Sequence, residues 1–101
     1  MEPKEYSWSW ATDSRCLSRG PCELIFAYMV TEDATTDSVL YNGQNAEGDE
    51  IVELVLTNKD ASYANIGGVP FAPPVPVHCE KGLYVKVGTN TLSIFVQWRN
   101  L

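Results

Sequence analysis

From Gly82 to Leu101 the chain alternates with a period of two, and this stretch constrains the fold more than any other. Leu83, Val85 and Val87 point one way; Tyr84 and Lys86 point the other. Leu92, Ile94, Val96 and Trp98 then alternate with Ser93, Phe95, Gln97 and Arg99. A helix would repeat every 3.6 residues, whereas period two belongs to a strand with one buried face. Gly88-Thr89-Asn90-Thr91 between the two runs has turn chemistry. The expectation is a hairpin that closes the domain.

The same pattern recurs upstream. Tyr6, Trp8 and Trp10 alternate with Glu5, Ser7 and Ser9, which predicts a strand with an aromatic face. It is either an early core strand or an arm that docks on a neighbouring subunit. Cys22 to Thr31 is the strongest strand, apolar on both faces, so it is expected to be central and covered on both sides. Ser38 to Tyr41 is a short strand ended by Asn42-Gly43, a dipeptide that favours tight turns. In Glu50 to Thr57, the face of Val52, Leu54 and Leu56 is the expected core side. Thr12 to Arg15, Arg19 to Pro21, Glu32 to Asp37 and Asn58 to Gly68 read as turns or loops. The prolines at 73, 74 and 76 cannot donate to a ladder, so Phe71 to Cys79 is expected as an extended edge.

No segment has helical periodicity. The expected fold is all-β: a single small antiparallel β-sandwich, jelly-roll-like, of six to eight short strands. Residues 1–15 form an N-terminal arm or first strand, and residues 16–101 the sandwich domain. At 101 residues the chain holds one core, and 45 % hydrophobic content makes it globular rather than disordered.

The formal net charge of −6 leaves too few clustered cations to neutralise phosphates, so no nucleic-acid partner is expected. The longest apolar run, Leu24 to Val30, is strand-sized, so no membrane partner is expected either. The start of the chain lacks signal-peptide character, which points to folding in a cytoplasm. Free thiols at Cys16, Cys22 and Cys79 follow, although Cys16 and Cys22 are near enough in sequence for a bridge to stay open as an alternative.

No catalytic signature stands out. His78 is the single histidine, and its neighbour Cys79 faces the opposite side of a strand, so the two cannot form a nucleophile–base pair alone. Cys16, Cys22, Cys79 and His78 miss the usual zinc spacing. Glu32, Asp33, Asp37, Glu47, Asp49 and Glu50 read as solvated loop acids, with no calcium-loop pattern among them. The expectation is a non-enzyme with no cofactor and no metal. Tyr6, Trp8, Trp10, Tyr63, Phe71, Tyr84 and Trp98 can serve a sugar-stacking platform, but core and subunit interface are the better reading.

Cys22 to Met29, Val39-Leu-Tyr-Asn-Gly43, Gly82-Leu-Tyr-Val-Lys-Val-Gly-Thr-Asn-Thr91 and Phe95-Val-Gln-Trp98 together resemble small virion proteins of tailed bacteriophages. The resemblance covers residues 16 to 99. It implies a structural component of the virion, assembled in the host cytoplasm. The leading expectation is a capsid decoration (cement) protein that forms a homo-oligomer, such as a trimer, and binds the major capsid protein. A tail, neck or adsorption-apparatus component, including a carbohydrate-binding module, is the alternative. No catalytic residue carries over. The expected contacts are Tyr6, Trp8 and Trp10 in the first segment, and Phe71, Pro73, Pro74 and Val75 in the second. Deleting residues 1–11 is expected to abolish attachment without unfolding the domain.

Overall fold

Nine strands pack as two antiparallel sheets face to face in the computed structural model, which describes residues 6–31, 36–56, 67–88 and 90–101. The strands are β1 (Ser7–Ala11), β2 (Arg15–Ser18), β3 (Cys22–Thr31), β4 (Thr36–Asn42), β5 (Asp49–Leu56), β6 (Gly67–Phe71), β7 (Val77–Cys79), β8 (Leu83–Lys86) and β9 (Thr91–Asn100). The larger sheet has the order β1-β9-β3-β6, with β7 sharing the β6 edge of β3. The smaller sheet has the order β2-β8-β4-β5. The expected small β-sandwich is therefore the observed architecture, with nine described strands in place of the six to eight expected.

The chain keeps crossing between sheets. Among the described strands, β4 and β5 are the only sequence neighbours that pair with each other. The expected C-terminal hairpin does not exist. β8 pairs with β2 and β4, while β9 pairs with β1 and β3 in the other sheet. β8 alternates as read, β9 does so from Ser93 to Arg99, and Thr91 N–H donates to the Gly88 carbonyl at 3.4 Å. Period two sets which face is buried, but it does not choose a partner. Gly88 adds a local reason for the crossing. A Cβ there would lie 1.6 Å from the Asp37 carbonyl oxygen, so only glycine lets β8 leave past β4 this closely.

The core lies between the sheets. Leu24, Ala27, Met29, Ile94 and Val96 come from the larger sheet, and Leu40, Leu83 and Val85 from the smaller; all eight are fully buried. Each large aliphatic side chain there contributes about 1.5–3 kcal/mol relative to exposure. Leu54 is buried in β5, with Val52 and Leu56 packed against the same cluster, on the side their alternation indicates.

Hydroxyl groups tie the two sheets at both ends. Thr91 Oγ1 on β9 lies 2.8 Å from Thr36 Oγ1 and 2.9 Å from Ser38 Oγ on β4. Gly88 N–H donates to Ser38 Oγ at 2.9 Å. At the other end, Ser18 Oγ on β2 lies 3.0 Å from Asn100 Oδ1 on β9. These contacts satisfy polar groups that burial would otherwise penalise.

Two β-bulges correct the sequence reading of the central strands. β3 shifts register between Leu24 and Phe26, and the extra residue is Ile25. The parity flips there, so Leu24, Ala27 and Met29 face the core while Phe26, Tyr28 and Val30 face outward. β3 is central in its sheet, as expected, but it is covered on one side and half-exposed on the other. A second shift faces Thr31 with Thr91 and Val30 with Ser93, leaving Leu92 turned out at 41 % exposure. β2 occupies a segment read only as flanking turns. Its four residues are too few for periodicity to mark them.

Candidate functional site

The outward face of the larger sheet carries a continuous aromatic surface. In β1 the serines and Ala11 turn inward, so Tyr6, Trp8 and Trp10 turn out. Register then sets their neighbours. Trp10 lies opposite Phe95 of β9, and Phe95 lies opposite Tyr28 of β3. Trp8 lies opposite Gln97, which lies opposite Phe26. Three strands thus place Trp8, Trp10, Phe95, Phe26 and Tyr28 on one surface.

Phe95 is the hub. Its ring centroid lies 5.0 Å from Trp10, 6.2 Å from Trp8 and 6.2 Å from Phe26. Such spacings give each pair about 0.5–1.5 kcal/mol beyond area burial. The indoles nevertheless stay open to solvent, Trp8 at 63 % and Trp10 at 49 % exposure. On the far side, Tyr28 lies over Gly68 of β6, where a Cβ would fall 1.8 Å from its hydroxyl. The glycine lets this ring lie down against the sheet.

One charged pair borders the surface. Arg99 on β9 donates through Nε to Glu23 Oε1 at 3.1 Å, and its Nη2 donates to the same oxygen. The guanidinium carbon stands 6.0 Å from the centroid of the exposed Tyr6 ring, a cation–π arrangement. The hydrogen bond to Glu23, reinforced by its charge, raises the Arg99 pKa above its ordinary value.

Tyr6, Trp8 and Trp10 are therefore brought together, and Phe95, Phe26, Tyr28 and Gln97 join them. The alternation of β9 already turned Phe95 and Gln97 outward. Phe26 and Tyr28 needed the bulge and the register to find their neighbours. The second expected contact segment lies at the opposite edge of the sheet from β1. There Phe71 packs against the core and Pro73 is half-buried, while Pro74 is exposed and Val75 reaches 70 % exposure. Pro74 and Val75 thus form its free surface.

The seven aromatics grouped by sequence do not make one platform. Trp98 is a core residue at 7 % exposure, Phe71 points inward, and Tyr84 lies on the outer face of the smaller sheet against Tyr41. Tyr63, Glu32 and Asp33 lie outside the described residues. Residues 7–11 are also more than an arm. β1 pairs along its length with β9, and Ala11 is fully buried. Deleting residues 1–11 would strip a strand and a core side chain, so point substitutions are the sound probe of this face.

His78 is exposed on β7 and lies opposite Glu23, and Cys79 turns into the core. Cys16 stands in the other sheet opposite Tyr84. All three cysteines are free thiols. Among the described residues, no group of three or more His, Cys, Asp or Glu side chains is placed to hold a metal ion. Among the same described residues, no helix is long and apolar enough to cross a membrane. No family model, curated protein or solved structure matches the chain.

Proposed function

We propose that this chain is a non-enzymatic structural subunit that attaches to a repeated protein lattice through the aromatic face of its larger sheet, in the manner of a tailed-phage capsid decoration protein. The observation that carries this reading is the pair of open indoles, Trp8 and Trp10, packed against Phe95 at an exposed sheet face. Tryptophan, tyrosine and arginine dominate the energetics of protein interfaces, and this surface holds the first two with Arg99 at its border. The acidic remainder keeps the free subunit soluble. Repetition of modest contacts across a lattice then supplies avidity. The major capsid protein is the proposed partner, with further copies of the chain beside it. Pro74 and Val75, at the opposite sheet edge, are the proposed second contact.

The test is the copy number of the chain in purified particles, by quantitative mass spectrometry against the major capsid protein. A number comparable with the capsid protein supports a decoration role. A small number moves the subunit to the tail, neck or a vertex, and absence overturns the virion reading. The Trp8→Ala/Trp10→Ala double variant should lose binding to undecorated particles by roughly tenfold or more, as truncated interface anchors do. Tyr41→Ala/Tyr84→Ala, which removes rings from the other sheet, should bind normally.

The second reading, a carbohydrate-binding module, is favoured by Gln97 standing between Trp8 and Phe26 in register. A side-chain amide beside open indoles suits a sugar ring. Quenching of tryptophan fluorescence by a glycan panel would support it, and a flat response across the panel would remove it.

A further inference from the structure

Cys22 begins β3 and Cys79 ends β7, and the ladder sets them directly opposite each other. Both side chains are fully buried. We infer that Cys22 and Cys79 are a redox pair that closes into a cross-strand disulfide and pins β7, with the proline-bearing segment before it, to the sheet edge. Residues directly opposed in an antiparallel ladder have Cα atoms about 4.5–5.5 Å apart. Disulfides need Cα separations of about 4.4–6.8 Å, so the backbone already satisfies them. The pairing differs from the Cys16–Cys22 bridge left open by sequence, because Cys16 belongs to the opposite sheet.

Within β7 the Cys79 thiol donates to the Val77 carbonyl at 3.5 Å. The neighbouring Cys79 thiol lowers the Cys22 pKa, and the same pairing, together with burial, raises that of Cys79. Reagents reach the pair when β7 opens. β7 has three residues, and Pro73, Pro74 and Pro76 ahead of it have no N–H to hold that segment to a neighbouring strand. Short edge elements of this kind open locally far more often than the whole domain unfolds.

The oxidant is a small disulfide such as glutathione disulfide. One cysteine thiolate attacks a sulfur of the small disulfide and expels one small thiolate, leaving a mixed disulfide. The second cysteine, losing its proton, attacks the protein sulfur of that mixed disulfide. The Cys22 Sγ–Cys79 Sγ bond forms, and the second small thiolate leaves. The two protein thiol protons end on the two released thiols. The protein is oxidised by two electrons and the small disulfide is reduced by two.

Trypsin separates the three cysteines, because cleavage after Arg15, Arg19, Lys59 and Lys81 puts Cys16 in peptide 16–19, Cys22 in 20–59 and Cys79 in 60–81. The reduced protein should be incubated natively across a series of glutathione redox buffers, quenched in acid and alkylated. A parallel sample should be refolded from denaturant in the same buffers. The expected product lacks the mass of two hydrogens and joins peptides 20–59 and 60–81, with Cys16 alkylated. It should melt higher than the reduced form and revert with dithiothreitol. Cys16→Ser should keep the bond and Cys79→Ser should lose it. A bond that uses Cys16, glutathione adducts without an internal bond, or three free thiols in both samples would overturn the pair.

Discussion

The two outward faces of this sandwich obey one alternation rule and end with opposite chemistry. On the smaller sheet, Val39 points outward from β4 yet is only 7 % exposed. Register places Lys86 on one side of it and Glu53 on the other, and long charged side chains cover apolar surface while their heads stay in water. That face also presents Asp37 and Glu50 around a shallow groove. On the larger sheet, Trp8 and Trp10 meet Phe95 and Gln97 instead, and no charged stem stands opposite either indole. Scattered apolar residues on a surface need no explanation, but a contiguous aromatic patch does. An outward apolar side chain with charged neighbours is solvated surface; one with aromatic neighbours is surface that gains from a partner.

The sharpest way to break this contrast is Phe95→Ala. It removes three ring contacts at once and leaves Trp8, Trp10 and Phe26 without their common neighbour. Fully buried Phe→Ala changes cost about 3–5 kcal/mol, and Phe95 is half-exposed, so the expected loss is about 2 kcal/mol. For a domain of this size that lowers the melting temperature by roughly 8–16 °C. Thermal unfolding followed by circular dichroism checks it. A change within a degree or two would mean the rings stack without mutual support, and the patch would be a set of independent side chains.

Tyr84→Ala is the matched change on the smaller sheet and should cost less. Among the described residues Tyr84 has one ring neighbour, Tyr41, at 6.3 Å, so about 1 kcal/mol is expected. If Tyr84→Ala destabilised the domain as much as Phe95→Ala, the contrast between the faces would lose its energetic side. The two variants also separate stability from attachment, since the proposal ties attachment to the larger sheet alone.

How much of this was legible in the sequence follows from what alternation encodes. The inward sets of β5 and β8, and of β9 from Ile94 onward, were readable, because period two needs no partner. The central place of β3 was readable from its apolar length. Two things were not. Ile25 inserts one residue into β3, and nothing in Cys22-Glu-Leu-Ile-Phe-Ala27 distinguishes a bulge from an apolar strand covered on both sides. The separation of β8 from β9 depends on β8 finding β2 and β4, which is a choice among long-range partners. The aromatic face combines both kinds. Trp8 and Trp10 were visible as a pair, but their packing against Phe95 and the approach of Phe26 required the register. The facing of Cys22 and Cys79 was hidden for the same reason, being a ladder contact between residues distant in sequence.

The smallest effect belongs to the charged border of the aromatic face. Glu23 and Arg99 lie opposite each other on β3 and β9, with side chains 22 % and 38 % exposed. Ion pairs this accessible contribute little and are screened by salt. The Arg99 pKa is raised by its hydrogen bond to Glu23. A cation with a raised folded-state pKa contributes stability that is complete below its unfolded pKa and fades only as pH climbs through the folded value. For arginine that window lies far into alkali. Raising the pH from neutral to moderately alkaline should therefore leave the contribution of Arg99 intact, whereas raising the salt should weaken it. Glu23→Gln should produce a smaller melting shift than Tyr84→Ala, and that shift should shrink further as salt rises. A Glu23→Gln shift as large as that of Phe95→Ala, or one indifferent to salt, would mean that the pair anchors the β3–β9 register beneath the aromatic face. The face would then depend on its charged border as much as on its rings.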